Sequence, residues 1–419
     1  MKPGRTSGAT SALRSAEIFL FIPTTTQKSD TMNTKEKDLK YIMHTYGRYD
    51  VALQKGKGAV AFDEDGKRYI DVSSGIGVNS LGYCDEGWVK AVSAQAGTLQ
   101  HMSNYFYCAQ AADLAEKLCR LTGLAKVCFG NSGAEANECA IKIARKYSFD
   151  KYGKDRNEII TMQNSFHGRT VTTLSATGQE VFHNFFFPFT EGFKFAEPND
   201  FEALENAVSD KTCAVMLEVV QGEGGVNILD KDIVRGIADI CSQSDILLII
   251  DEVQTGVGRT GKLFAYEHYG VNPDLVTVAK GIGGGLPIGI CMCGEKLKDV
   301  MSPSTHGTTF GANPVVCAGA NYVLGRVSDE AFLADVEKKG AYLEEKLLKI
   351  TGVKNVRRLG LMVGIEIEND AHDIAAKCVA NGLLIITAKD LLRMLPPLTI
   401  TTAELDEAVT ILEKTLKEN

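Results

Sequence analysis

The chain has 419 residues, more than one compact core usually serves, so two domains of unequal size are expected. Hydrophobic residues make up 44% and charged residues 23%, which excludes a disordered chain; a formal charge of −8 argues against a general nucleic-acid binder. A small anion can still be held locally by helix ends and arginines.

Residues 1–32 are rich in Ser, Thr and small side chains. Their apolar patch "IFLFIP" is shorter than the ~7–15 residues of a signal-peptide core. They read as a disordered or artefactual extension, with Met32 as an alternative first residue. No apolar run approaches the ~20 residues of a membrane span, so a cytoplasmic protein is expected, with a mitochondrial address as the alternative. "GAVAFDEDGKRYIDV" predicts strand, Asp-Gly turn, strand. From about residue 110, helical stretches ("AADLAEKLCRLT", "EANECAIKIARKY") alternate with apolar runs ("KVCFG", "EIITM", "CAVMLEVV", "ILLIIDEV", "LVTVAKG"). Such runs between helices predict an α/β domain built on a mainly parallel sheet covered on both faces.

Four stretches carry chemistry. In "CFGNSGAEANECAIKIAR" a strand ends near Phe129 and a helix begins near Ser132, with Ser132 and Glu135 at capping-box spacing. The open N–H groups of a first helical turn can hold a phosphate, and Gly133 and Ala134 allow close approach; an ordinary well-capped helix is the plain alternative. In "NSFHGRT", Phe166 could stack on a planar ring and Arg169 could clamp a carboxylate. His167 could be a general base, but a turn-stabilising hydrogen bond is the favoured role. In "ILLIIDEVQTGVGRTG", Asp251 sits where a strand leaves the sheet, the position at which open α/β sheets bind ligands. It could pair with a cationic ring nitrogen or with magnesium, or simply cap a helix; no P-loop accompanies it. In "LVTVAKGIGGG", Lys280 ends another strand and faces the same crevice. A partly desolvated lysine is a usable amine for Schiff-base chemistry; a snorkelling surface lysine is the alternative.

Farther on, Cys291 and Cys293 are the closest pair among 11 cysteines, and strand alternation puts both on one face. With no CxxC and no histidine cluster, the thiols read as buried hydrophobes in a reducing compartment, and no metal site is expected. After "HGTTFGANP" come the helices "NPVVCAGANYVLGRV" and "AFLADVEKKGAYLEEKLLKI". The strands "LGLMVGIEIE" and "LLIITAKD" follow, then a last helix whose start is marked by Thr402 and Glu404. This predicts a smaller α+β domain.

Taken together, a phosphate cradle, an acid for a ring nitrogen, an amine, a stacking aromatic and a carboxylate clamp match the needs of pyridoxal phosphate. The chain resembles the class III pyridoxal-phosphate aminotransferases from about residue 40 to its last helix. The resemblance is carried by "NSGAEANE", "SFHGRT", "QGEGGV", "IIDEVQTGVGRTG", "AKGIGGGLPIG", "HGTTFGANP" and "LRMLPPLTIT". It implies a fold type I transferase: an N-terminal segment (33–75) packing with the small domain, a large cofactor-binding domain (76–305) and a small C-terminal domain (306–419).

It also implies roles. Lys280 is the Schiff-base lysine and moves the proton. Asp251 pairs with the pyridine nitrogen, Gln254 meets the phenolic oxygen, and Phe166 and Val253 sandwich the ring. Ser132, Gly133 and Ala134 hold the phosphate. Thr309 reaches it from the partner subunit, so a homodimer is implied. Arg169, helped by Thr308, holds the substrate's α-carboxylate. Arg393 holds the carboxylate of glutamate or 2-oxoglutarate, and Glu223 is the switch that pairs with Arg393 when a diamine end is bound. Gly75 stands where ornithine transaminases resemble "SSYSAVN" with a tyrosine. The space it leaves favours N2-acetylornithine as amino donor and 2-oxoglutarate as acceptor, a step of arginine biosynthesis. Succinylornithine, N-succinyl-diaminopimelate, ornithine and 4-aminobutyrate are the alternatives. Three departures stand out: Val219 in place of a usual proline, Ala312 in place of a glycine, and Thr308 in place of serine.

Overall fold

The computed structural model describes residues 32–418. The extension expected over 1–32 therefore lies, Met32 aside, outside the described residues. Residues up to Arg48 form one unit and those from Tyr49 onward another. In the first, Asn33 caps the helix Thr34–Tyr41 through a reciprocal pair of 2.9 Å bonds with Glu36.

The second unit opens with β1 (Leu53–Lys57), β2 (Val60–Asp63) and β3 (Arg68–Asp71), paired antiparallel in that order. The Asp-Gly turn forms as expected: Asp63 accepts the N–H groups of Asp65 and Lys67 at 3.0 and 2.8 Å, and Gly66 takes φ +82°.

The central sheet is built from β4 (Lys126–Gly130), β5 (Glu158–Met162), β6 (Phe193–Ala196) and β7 (Thr212–Leu217). A two-stranded ribbon, β8 (Val220–Gln221) and β9 (Asn227–Ile228), interrupts it. Then come β10 (Leu247–Asp251), β11 (Leu275–Val278) and β12 (Gly289–Cys293). The order is β4-β12-β11-β10-β7-β5-β6. Only β12 runs against its neighbours; every other pairing in this sheet is parallel.

Both faces are covered, which is why these strands read as unbroken apolar runs. Leu247 and Ile249 pack on one face with Ala140 and Ala144 of the helix Gly133–Tyr152. Leu248 and Ile250 pack on the other with Val234 and Ile237 of the helix Lys231–Gln243.

The C-terminal part begins with the helices Pro314–Val327 and Glu330–Leu347. Its strands are β13 (Val353–Leu359), β14 (Met362–Ile367), β15 (Leu383–Leu384), β16 (Ile386–Ala388) and β17 (Leu391–Met394). They form an antiparallel sheet β13-β14-β17-β16, while β15 leaves it to pair in parallel with β3. Two runs read as single strands are thus divided. "LLIITAKD" is shared between two sheets. "CAVMLEVV" breaks after Leu217, where the Glu218 carboxylate turns to accept the Phe166 N–H at 2.9 Å.

The last helix, Thr402–Lys417, is capped by Thr401 rather than Thr402. The Thr401 hydroxyl accepts the Glu404 N–H (3.2 Å) and the Glu404 carboxylate accepts the Thr401 N–H (2.8 Å), a spacing Thr402 cannot match. Among the described residues no helix is long and apolar enough to cross a membrane.

Candidate active site

The parallel strands β4, β5, β7, β10 and β11 end at one cavity of about 670 Å³. The sheet thereby delivers to one place the side chains that the chain keeps far apart. Ser132, Gly133, Ala134, Phe166, Arg169, Glu223, Asp251, Val253, Gln254 and Lys280 all line it.

Asp251, at the end of β10, is 3% exposed. One carboxylate oxygen accepts the Val253 N–H (2.9 Å); the other accepts Asn137 Nδ2 (2.7 Å) and His167 Nδ1 (2.9 Å). Asn137 also donates to the His167 carbonyl at 2.7 Å. Three donors thus lock the carboxylate in one orientation. His167 is not the turn pin that the sequence favoured. Its ring is buried against Asp251, and Nε2 has no partner among the described residues. Asn137 escaped the sequence reading, yet it lies three residues beyond Ala134 and so on the same helical face, a signal that was present.

Lys280 follows β11 with φ +46°. A non-glycine residue in that region costs about 1–2 kcal/mol, strain of the kind that collects at functional sites. Burial lowers its ammonium pKa; Arg393 pushes the same way, while Glu223, Asp251 and Glu218 push back. Among the described residues it has no hydrogen-bond or ion-pair partner. Of the glycines behind it, Gly284 is the most constrained: it has φ +58°, and an added Cβ would lie 2.7 Å from Trp88 Nε1.

The helix Gly133–Tyr152 starts at Ser132, whose hydroxyl accepts the Glu135 N–H at 3.2 Å. The expected capping box is displaced by one residue, because the Glu135 carboxylate accepts the N–H of Asn131 rather than of Ser132. Gly133 and Ala134 occupy the first two helical positions, whose N–H groups have no acceptor inside a helix. Gly133 must be small: a Cβ there would come 2.7 Å from Val253 Cγ1.

Phe166 forms a wall. It meets Phe182 edge-on (5.8 Å between centroids), and the Arg169 guanidinium lies 4.0 Å over the Phe182 ring and 5.4 Å over Phe166. Glu218, whose carboxylate accepts the Phe166 N–H, is pushed up to about 7 by burial, although nearby His167 acts in the opposite direction.

On another side stands a charge pair. Arg393, on β17, donates from Nη1 and Nη2 to the two oxygens of Glu223 at 2.8 and 3.1 Å, and from Nη1 to Gln254 Oε1 at 3.1 Å. Gln254 Nε2 in turn donates to Glu223 at 3.1 Å. Burial raises the Glu223 carboxyl, but Arg393 outweighs it and leaves the group below its ordinary value.

Four expected site residues do not line the cavity. Arg393 stands behind Glu223 and Gln254. Thr308 accepts Asn131 Nδ2 at 3.0 Å, just outside the helix start. Thr309 is exposed. Gly75 is exposed with φ +64°, and a Cβ there would meet nothing nearer than 3.6 Å. The methyl of Ala312 is carried at φ +64°, so this departure from glycine puts a side chain in left-handed backbone.

The family model described as Aminotransferase class-III matches residues 41–416. The acetylornithine aminotransferase of Haemophilus ducreyi is 50% identical over 387 residues, covering 92% of this chain and 98% of that one. Among solved structures, the ornithine aminotransferase of Toxoplasma gondii, described with partial occupancy of PLP at its active site, superposes with a TM-score of 0.86. It is 34% identical and covers 90% of this chain and 92% of its own. The N-acetylornithine aminotransferase of Stenotrophomonas maltophilia K279a gives 0.79 at 36% identity, covering 90% and 97%.

Proposed function

The chain belongs to the class-III aminotransferases, and we propose on that footing that it transfers the terminal amino group of N2-acetylornithine to 2-oxoglutarate, using pyridoxal 5′-phosphate. The observation that carries the cofactor assignment is the unpartnered Lys280 facing, across one cavity, a carboxylate fixed by three donors and an open helix start. These residues fit the group. Asp251 would meet its ring nitrogen, Gln254 its phenolic oxygen, and Phe166 and Val253 its faces; the N–H groups of Gly133 and Ala134, with the hydroxyl of Ser132, would hold its phosphate. When bound, pyridoxal phosphate supplies the sink for negative charge developing at the substrate carbon.

The protein supplies the rest. Lys280 would hold the cofactor until the donor amine takes its place; its amine, then free and with its pKa lowered by burial, would take and return the proton at the substrate carbon. His167 and Asn137 keep Asp251 aimed. Arg169 would hold the α-carboxylate, assisted by Thr308, whose hydroxyl accepts from Asn131. Glu223 neutralises Arg393 while the acylated diamine is bound and releases it for the carboxylate of 2-oxoglutarate.

Exposed Thr309 serves a neighbouring copy, so the working unit is a homodimer. Support comes from Tyr105, Phe106 and Phe310, which are 94, 70 and 62% exposed. Asn104 ties their two segments together by donating to the carbonyls of Thr308 and Gly311 at 3.0 Å. All eleven cysteines are free, which suits a reducing compartment such as the cytoplasm.

Free ornithine is the rival donor, since an ornithine aminotransferase is among the structural neighbours. The 50% identity to an acetylornithine aminotransferase, against 34% to that ornithine aminotransferase, supports the acylated one. Comparing kcat/KM for N2-acetylornithine and ornithine decides: the first should exceed the second, and a preference for ornithine would overturn the substrate assignment.

A further inference from the structure

Apart from the residues that line the cavity, three side chains distant in sequence converge. Cys128 lies on β4, Cys139 on the helix Gly133–Tyr152, and His306 on the segment that leads to Thr308. One ligand atom from each lies within 4.8 Å of the other two. Both cysteines are free thiols. Cys291 stands directly opposite Cys128 in the β12–β4 register, so the two side chains leave the sheet on one face. That is the face on which Cys139 packs, and Cys139 and Cys291 share one apolar cluster with Cys128 at its border.

Thiolate and imidazole together suit soft or borderline ions. Zinc–sulfur bonds of about 2.3 Å and zinc–nitrogen bonds of about 2.0 Å imply ligand separations of about 3.5–3.8 Å around a tetrahedral ion. The atoms present therefore need to close by about 1 Å at most. Two thiolates and a neutral imidazole balance a divalent charge, and a third thiolate leaves a single negative charge, as in the established Cys₃His type of zinc site. Lys142 Nζ stands 3.0 Å from His306 Nδ1, where it draws on a lone pair that a metal could use.

We propose that Cys128, Cys139 and His306 bind a divalent ion of the zinc and cadmium class, with Cys291 completing the coordination and Lys142 competing for the imidazole. Each thiol that becomes a ligand releases one proton. The ion ties together β4, the helix whose start faces the cavity, and the segment bearing Thr308, whose hydroxyl Asn131 already holds. The site does not depend on the identity of the amino donor.

The test is a titration of the full-length, cofactor-loaded enzyme with Cd²⁺, reading thiolate-to-cadmium charge-transfer absorption. The expected result is one tight ion per chain, weakened by about tenfold or more in Cys139→Ser and in His306→Ala. Lys142→Met should bind more tightly. Cys241→Ser, which removes a thiol packed on the opposite face of the sheet, should match the native enzyme. His306→Ala alters a partly exposed segment, so it serves as the check if Cys139→Ser fails to fold. Absence of the charge-transfer band in the native enzyme, or native affinity in both ligand variants, overturns the site.

Discussion

Glu223→Gln isolates the charge that masks Arg393. The Arg393 side chain is 2% exposed and that of Glu223 27%, and two bonds of 2.8 and 3.1 Å join them. Glutamine keeps the shape and one acceptor oxygen, but it loses the charge and the second acceptor. Hydrogen bonds to charged groups contribute about 1.5–3 kcal/mol each and neutral ones about 0.5–1.5. With Gln254 remaining as a partner, the pair should weaken by about 1.4–2 kcal/mol, or about ten- to thirty-fold in the availability of Arg393 for another anion. The two half-reactions, each run with a single substrate and followed by cofactor absorbance, separate the consequences. Apparent affinity for 2-oxoglutarate should rise about tenfold, because its carboxylate no longer displaces a full charge. The reaction with N2-acetylornithine should slow, because a bare guanidinium now faces the donor's terminal amine end, which offers it no carboxylate. Equal changes in both half-reactions, or weaker binding of 2-oxoglutarate, would refute the switch.

Two further outcomes follow from buried ionisable groups. Lys280→Ala should reduce the single-turnover rate with N2-acetylornithine by at least about 10²–10⁴-fold, the usual contribution of a positioned proton-transfer group; a native rate would remove Lys280 from the mechanism. Glu252, fully buried beside Asp251, is pushed by burial from 4.5 to about 7. The folded state therefore binds more protons than the unfolded one between those values, and stability is lost as pH rises through that window, by about 3 kcal/mol at most. Glu252→Gln should flatten this part of the denaturant-midpoint profile between pH 5 and pH 8, and an unchanged slope would contradict the assignment.

What the sequence revealed depended on whether a feature was local. Asp251 and Lys280 were legible because each terminates an apolar run, and a strand end in a parallel sheet has a known outlook. Ser132 was legible from its spacing to Glu135. The displacement of that cap onto Asn131 was not, since it depends on how the chain leaves β4. His167 shows the limit most clearly. A histidine in a loop has nearby backbone to bond, so a turn was the economical reading. Its partner is instead Asp251, brought within 2.9 Å by the lateral order of β5, β7 and β10. Glu223 and Arg393 were named only by family resemblance, because nothing local announces that β14 and β17 pair so as to set Arg393 behind the cavity. The break at Glu218 has the same origin: a carboxylate inside an apolar run is tolerated when a backbone N–H from a neighbouring loop meets it.

The glycines after Lys280 join the two scales. Sequence showed only that side chains were avoided there. The structure makes Gly284 answer to Trp88 and Val323, whose atoms would lie 2.7 and 2.9 Å from an added Cβ. Trp88 Nε1 also donates to the Gly283 carbonyl at 3.2 Å, so the indole both packs against the turn and bonds it. That clamp stabilises a 3₁₀ turn starting at Lys280, and it offsets the cost of holding a lysine at φ +46°. The glycine run, the tryptophan and the strained lysine are therefore one device. Close packing behind the backbone converts the end of an apolar strand into a fixed direction for Nζ.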